Sequence, residues 1–296
     1  MKMRRIFSIG LSLLLTAVIL CSCSFEELFD YYGYPEAAEE GTLAVHFLDI
    51  GQGDSIYLEL PNAETMLIDA GENYYGEGII DYIEHTGHDE IDYLVATHPH
   101  SDHIGSMSYI VRNFTVNAVY MPKAVTTTKT YQNLLESIQK KGLKITNAKA
   151  GMTILSEDGL TVDVIAPVTI DDDLNNCSIV LKITYGDTSF LFTGDAETKE
   201  FGAITADMSA DVLKVGHHGS RTSTTKEILE RIHPDIAVIS CGEDNEYGHP
   251  HQSTMDLLEQ FGCEVYRTDT DGTVTVVSDG ETISVETDRI SIERAK

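Results

Sequence analysis

The run Thr97-His98-Pro99-His100-Ser101-Asp102-His103-Ile104-Gly105 limits this chain more than any other segment. Three histidines and a carboxylate fall within six residues, directly after the apolar run Ile91-Asp92-Tyr93-Leu94-Val95-Ala96. That run reads as a buried strand over 91–96. Imidazole and carboxylate suit zinc, or manganese and iron in related sites. In a tight turn His98 and His100 can reach one ion while Asp102 and His103 face a second position. Solvated loop histidines are the bland alternative, but they give no reason for such density just past a buried strand. A fold that uses this segment must hold it rigidly and bring further ligands from distant parts of the chain.

Three later segments end in ligand-type residues. The apolar strand Phe190-Leu191-Phe192-Thr193 runs into Gly194-Asp195, and Asp195 is the candidate bridging ligand between two ions. By itself Asp195 also reads as the N-cap of a following helix. Val212-Leu213-Lys214-Val215-Gly216 leads to His217-His218-Gly219-Ser220. One histidine of this pair closes the second metal position. His217 is preferred as the ligand, with His218 a substrate contact or proton donor, although spacing does not decide between them. In Tyr247-Gly248-His249-Pro250-His251, His249 is a substrate-side or proton-transfer group. His251 is a weaker substrate-binding candidate that reads equally well as a loop histidine without a role.

The remaining pattern sets the fold class. Strands are expected over 42–48, 55–60 and 64–69, with Gly51-Gln52-Gly53-Asp54 as a turn between the first two. Helices follow over 78–85 and 130–141, the second closed by Gly142. Strands over 161–166, 178–184 and 189–193 enclose a hairpin turn at Tyr185-Gly186-Asp187. A strand over 211–215, a helix over 225–232 and a strand over 236–240 come next. A helix over 253–261, capped by Ser253 and ended by Gly262, precedes strands over 264–267, 272–277 and 281–287. Two sheets packed face to face with helices outside satisfy this order, an α+β architecture in one domain over 42–290.

His98-x-His100-x-Asp102-His103 resembles the signature of the metallo-β-lactamase superfamily. Several segments together resemble its ComEC/Rec2-like branch, the extracellular hydrolase domain of a bacterial DNA-uptake channel. These are Phe47-Leu48-Asp49-Ile50-Gly51-Gln52-Gly53-Asp54-Ser55, Leu67-Ile68-Asp69-Ala70-Gly71, Leu191-Phe192-Thr193-Gly194-Asp195, the His217-His218-Gly219-Ser220 loop and Tyr247-Gly248-His249-Pro250. The resemblance implies an αββα sandwich of two mixed sheets, with metals at one edge between them. It also implies that Asp69 supports the ions by hydrogen bonding rather than binding them. Two departures stand out. The superfamily commonly has another histidine ligand between the first cluster and the bridging aspartate. Between Ser106 and Thr193 this chain has no histidine, and Asn175-Asn176-Cys177-Ser178 stands in that region. This leaves the first metal position weak or completed by water, with Asn176 and Ser178 as candidate substrate contacts. The uptake channel also fuses many spanning segments to this domain, whereas here there is a lipid leader, so DNA transport is not expected of this chain.

The leader is read from Met1–Arg5, a basic stretch, and from the largely apolar region of about 15 residues over 6–20, too short for an ordinary spanning helix. Leu20-Cys21-Ser22-Cys23 resembles a bacterial lipobox, with Cys23 as the lipid acceptor after a signal peptide over 1–23. An acidic tether over 24–41 follows. The chain is therefore expected on the outer face of the cell membrane, in a stand-alone lipoprotein form. Cys177, Cys241 and Cys263 have no paired spacing, so neither a disulfide framework nor a thiolate zinc finger is expected, and each is a small buried residue.

Charge narrows the partners. Twenty Lys and Arg against 48 Asp and Glu give −28 over the 296 residues. Loss of Lys2, Arg4 and Arg5 with the leader leaves 17 bases, hence −31. Such a surface repels phosphate backbones, so no extended nucleic-acid-binding face is expected. One or two divalent ions would offer a local positive charge. Bound zinc lowers the pKa of its water from about 15.7 to about 7, giving hydroxide at neutral pH. Asp102 would orient this nucleophile, and His218 or His249 would protonate the leaving oxygen. The expected reaction is phosphodiester hydrolysis, by a nuclease or on a phosphorylated surface component. Hydrolysis of a carboxyl ester, thioester, lactone or β-lactam uses the same machinery. A third alternative is a lipoprotein that binds DNA or a partner without catalysis.

Overall fold

Leu43–Phe47 (β1), Ile56–Glu59 (β2) and Thr65–Ile68 (β3) are buried at every position, the pattern of strands covered on both faces. The computed structural model that shows this describes residues 37–288 and 290–295. The leader, Cys23 and the tether up to residue 36 lie outside the described residues. Glu90–Val95 (β4), Thr115–Met121 (β5) and Ile145–Asn147 (β6) extend the first sheet, and Met152–Glu157 (β7) opens the second. Leu160–Ala166 (β8), Val180–Tyr185 (β9), Thr188–Phe192 (β10), Val212–Lys214 (β11), Ile236–Ile239 (β12) and Glu264–Arg267 (β13) continue the second sheet. Thr273–Ser278 (β14) and Ile283–Asp288 (β15) return to the first.

The sheet orders are β15-β14-β1-β2-β3-β4-β5-β6 and β13-β12-β11-β10-β9-β8-β7. In each, hairpin-connected antiparallel strands give way to a parallel half. In the first sheet β3 through β6 pair in parallel, and in the second β10 through β13 do so. Parallel neighbours need long crossovers, and helices supply several of them. Gly76–His85 (α1), Ser101–Ile104 (α2), Met107–Asn113 (α3) and Lys129–Lys140 (α4) belong to the first half of the chain. Thr198–Ala203 (α5), Lys226–Ile232 (α6), Gln252–Phe261 (α7) and Thr268–Asp271 (α8) belong to the second.

Three apolar layers separate these four tiers. Between the sheets pack Phe47, Leu58, Ile68, Val95, Phe190, Phe192, Val212 and Val238, with the Phe47 and Phe192 rings stacked at 6.2 Å. Ile79, Ile83, Ile110 and Leu134 pack helices on the outside of the first sheet, and Phe201, Leu229, Ile232 and Leu258 do so on the second. The architecture is thus an αββα sandwich of two mixed sheets, as expected.

Local details differ in places. Ser253 lies inside α7, whose N-cap is His251 without a side-chain cap bond. Gly262 ends that helix in the left-handed conformation, at φ 76°. Asp195 is not a helix cap either, because α5 starts after Glu197. Cys177 and Cys241 are buried and free, and Cys263 is half-buried and free. Among the described residues, no helix is long and apolar enough to cross a membrane.

The layout positions the site. The parallel halves of both sheets put the carboxyl ends of β3, β4, β10, β11 and β12 along one edge, where open α/β sheets gather ligands. From those ends emerge Asp69, the run 97–105, Asp195, His217-His218 and the loop 240–251.

Candidate metal centre

Asp195 is the focus of the edge. Its Oδ1 lies 3.2 Å from His103 Nε2 and 3.7 Å from His218 Nε2. Its Oδ2 lies 3.6 Å from His217 Nε2 and 3.8 Å from His98 Nε2. Four imidazoles from two distant loops thus present the same ring nitrogen to the two oxygens of one carboxylate. Asp102 joins the Oδ1 side, with Oδ2 3.4 Å from His218 Nε2 and 3.9 Å from His103 Nε2. His100 joins the other side, its Nδ1 2.9 Å from His98 Nε2.

The opposite nitrogens of His98, His103 and His218 make hydrogen bonds, and that of His217 only faces a carboxylate. His103 Nδ1 donates to Asp69 Oδ2 at 2.7 Å, and Thr97 donates to the same carboxylate from its backbone N–H at 2.8 Å and its hydroxyl at 2.5 Å. His218 Nδ1 donates to the Ser240 carbonyl at 3.0 Å and lies 3.3 Å from Asp54 Oδ1. His217 Nδ1 faces Glu197 Oε1 at 3.3 Å. Ser178 Oγ lies 3.3 Å from His98 Nδ1. Such backing fixes ring tautomer and orientation at metal sites. Backbone strain is present here too: Asp69, His217 and His218 have φ of 60°, 50° and 53°, a region that non-glycine residues rarely enter and that recurs at functional sites.

Whether these residues fit a metal is decided by their unpaired atoms. His103 Nε2, His218 Nε2 and Asp195 Oδ1 are buried without hydrogen-bond partners, an arrangement costly for a fold unless something else satisfies them. Asp102, His103, Asp195 and His218 each offer a ligand atom within 4.8 Å of the others. Two imidazoles and two carboxylates converging this way fit a divalent ion. Electrostatics agree. Burial disfavours charge on His103, yet Asp195, Asp69 and Asp102 hold it well above the usual histidine range. Burial opposes charge on His218 as well, but Asp195 and Asp54 carry it up to about 10. Burial and the neighbouring His103 keep His98 well below the usual range.

The sequence-derived candidates are sorted by this geometry. His98, His100, Asp102, His103 and Asp195 come together. The preference between His217 and His218 is reversed for the second position: His218 stands with Asp102 and His103, whereas His217 faces Asp195 Oδ2 beside His98. His217 therefore occupies the side on which the expected third histidine is missing. Asp69 has the supporting contact the resemblance implied. Asn176 is not at the cleft: its Oδ1 accepts from the N–H groups of Glu197 and Glu200, both at 3.3 Å. Ser178 is fully buried behind the ligands, accepting from Asp195 N at 3.1 Å. His251 Nδ1 accepts from Arg221 N at 3.1 Å and holds the loop. His249 does reach the cleft, with its ring 5.5 Å from that of His217.

Above the cluster lies a cleft of about 550 Å³ walled by Gln52, Pro99, His100, Asp102, Asn175, His217, Tyr247 and His249, among others, and, among the described residues, by no Lys or Arg. Asn175 Oδ1 is buried there without a partner. Three contributors were missed by sequence reasoning: Asn175, Asp54 and Lys214. Lys214 Nζ donates to Asp54 Oδ2 at 2.7 Å, and both side chains are buried. The available signal was a lysine in the middle of an apolar strand, which demands an acidic partner.

The metallo-β-lactamase superfamily profile matches residues 48–243. The chain belongs to the metallo-β-lactamase superfamily. Its members are typically metal-dependent hydrolases that bind one or two divalent ions. Among curated relatives, ComE operon protein 3 of Bacillus subtilis is 32% identical over 88% of this chain and 36% of its own length. Recombination protein 2 of Haemophilus influenzae is 30% identical over 86% of this chain and 30% of its own length. The chain thus spans about a third of the relatives it matches, which agree with the ComEC/Rec2-like resemblance of its motifs. The diiron β-hydroxylase CmlA from Streptomyces venezuelae superposes with a TM-score of 0.54 at 17% identity, over 79% of this chain and 53% of its own. That likeness concerns the fold alone.

Proposed function

We propose that this metallo-β-lactamase-fold protein is a metal-dependent phosphodiesterase, nuclease-like or acting on a phosphorylated surface component. The observation that carries the reading is the Asp195 carboxylate, whose two oxygens face different histidine sets at the floor of an open cleft. Asp102, His103 and His218 would hold one ion and His98, His100 and His217 the other, with Asp195 between them. A divalent ion there, zinc or else manganese or iron, supplies a water of lowered pKa and positive charge for an oxygen that gains negative charge.

The chain's own groups set the rest. Asp102 is a quarter exposed in its side chain and borders the cleft, so its free oxygen can orient a water and take its proton. His103 and His218 are enclosed and serve as ligands. Burial and the neighbouring imidazoles of His218, His217 and His251 push His249 down to about 4. Its ring is neutral at pH 7, so of the substrate-side and proton-transfer roles expected from sequence it fits the former, contributing a hydrogen bond to the leaving oxygen. Tyr247, stacked on His249 at 5.7 Å and largely exposed, offers a flat surface to a planar group beside the phosphodiester. With no Lys or Arg in the cleft wall among the described residues and a net charge of −28, anionic substrate must be drawn by the ions. The relative named a recombination protein makes a nucleic-acid phosphodiester a first substrate to try.

The leader and Cys23 carry the companion proposal of an exported, lipid-anchored protein. The activity is tested with metal-loaded protein, bis-nitrophenyl phosphate, single-stranded DNA and a panel of carboxyl esters, thioesters, lactones and β-lactams. Turnover of the phosphodiesters, lost in Asp102→Ala, is the expected result. Turnover of the carbonyl substrates alone would replace the reading.

A further inference from the structure

We propose that Lys214 is a positioning residue for the second metal position, acting through Asp54 on His218. The proposal rests on the metal-centre reading above. Lys214 ends β11, whose backbone pairs with β10 and β12, and its side chain is fully buried. Apolar packing would prefer Leu or Met at such a place, and a buried ion pair adds little net stability over well-packed apolar residues. What the ammonium does is tie two remote backbones together. It donates to Asp54 Oδ2 at 2.7 Å and to the Val215 carbonyl at 3.1 Å, immediately before the His217-His218 loop.

Asp54 is itself wedged among the ligand loops. Its N–H donates to the Asp102 carbonyl at 3.1 Å, and its carbonyl accepts from Gly71 N at 2.8 Å. A Cβ on the preceding Gly53 would collide with that same Asp102 carbonyl oxygen, so the turn packs its backbone directly against the Asp102 loop. With Oδ2 held by Lys214, Asp54 Oδ1 lies 3.3 Å from His218 Nδ1 as a charge contact, accepting no hydrogen bond, while the Nδ1 proton goes to the Ser240 carbonyl at 3.0 Å. The contact steadies a ring whose backbone sits at a strained φ of 53° and leaves Nε2 aimed at Asp102 and Asp195.

Lys214 also decides where an ion can settle. Asp54, Asp69 and His103 form a second group of ligand atoms within 4.8 Å of one another, behind the first. The ammonium already neutralises Asp54 there, so the site facing the cleft is the one left needing a cation.

The test is zinc titration against a chromophoric chelator, with thermal melting of the metal-free proteins, for wild type and Lys214→Met/Asp54→Asn. The single variant Lys214→Met would strand a buried carboxylate, so the paired change is the informative one. The expected result is a melting temperature within about 5 °C of wild type, and the tightest zinc equivalent, the one expected at Asp102, His103, Asp195 and His218, bound roughly 10–100-fold more weakly. An unchanged tightest equivalent would overturn the role of Lys214 alone. A double variant that fails to fold would overturn it too, making the pair structural. A wild type that takes up no zinc would overturn both this role and the metal centre.

Discussion

His103 Nε2 lies 3.2 Å from Asp195 Oδ1 while the other nitrogen of the same ring donates to Asp69 at 2.7 Å. One imidazole thus links the Asp195 carboxylate, the proposed ligand, to that of Asp69. Replacing Asp69 with Asn removes the acceptor charge that orients the ring but keeps its volume. Metal affinity is expected to fall about 10–100-fold, while circular dichroism of the metal-free protein stays that of wild type. Unaltered affinity would show that Asp69 serves the fold rather than the ions.

Metal uptake should release protons. Without an ion, His103 and His218 are both held above the usual histidine range, His218 near 10, so both carry a proton at pH 7 and must lose it to bind a cation. Calorimetric titration at pH 7 in buffers of different ionisation enthalpy should report about two protons released on filling the second position. The same shifts fix a sign for stability. Folded-state values raised above about 6.5 contribute fully below that pH. The contribution declines as pH rises toward 10, so the metal-free protein should melt progressively lower across that window. A melting temperature that climbed from pH 7 to pH 9 would contradict the assignment.

Tyr247 is largely exposed at the cleft wall, and its ring already stacks on His249. Stacking of one base on an aromatic side chain is worth about 1–3 kcal/mol, so Tyr247→Ala should raise KM for single-stranded DNA roughly tenfold. The KM for a dialkyl phosphodiester, which has no planar group, should barely move. Equal effects on both substrates would assign Tyr247 to loop structure.

Lipid attachment is independent of the site. Cells expressing the full chain and fed labelled palmitate should label the wild type, and Cys23→Ala should abolish the label. Labelling that persists in this variant would move the acceptor to Cys21 or remove the lipobox reading.

The αββα order was legible because most strands are buried and read as apolar runs or alternations. The strands that escaped notice fail for physical reasons. All three residues of β6 are exposed, and β7 is half-exposed along its length, since both are sheet-edge strands with little apolar signal to give. The helices α2 and α5 have four and six residues, too few for a 3.6-residue period to accumulate. β5, buried at alternate positions only in part, sits between these weak signals. In the site, His98, His100, Asp102 and His103 were readable because they are neighbours in sequence. The Lys214–Asp54 pair spans 160 positions, and no local pattern announces it. The choice between His217 and His218 was closed to spacing arguments because left-handed backbone at both residues turns adjacent side chains toward different oxygens of Asp195.

The most direct measurement is the metal content of purified wild type and Asp195→Ala after loading with zinc and removal of free ion, read by inductively coupled plasma mass spectrometry. Convergence of both histidine sets on this one carboxylate predicts between one and two ions per chain in wild type, and well under one in a folded Asp195→Ala. Negligible zinc in the wild type, or equal zinc in the two proteins, would contradict it.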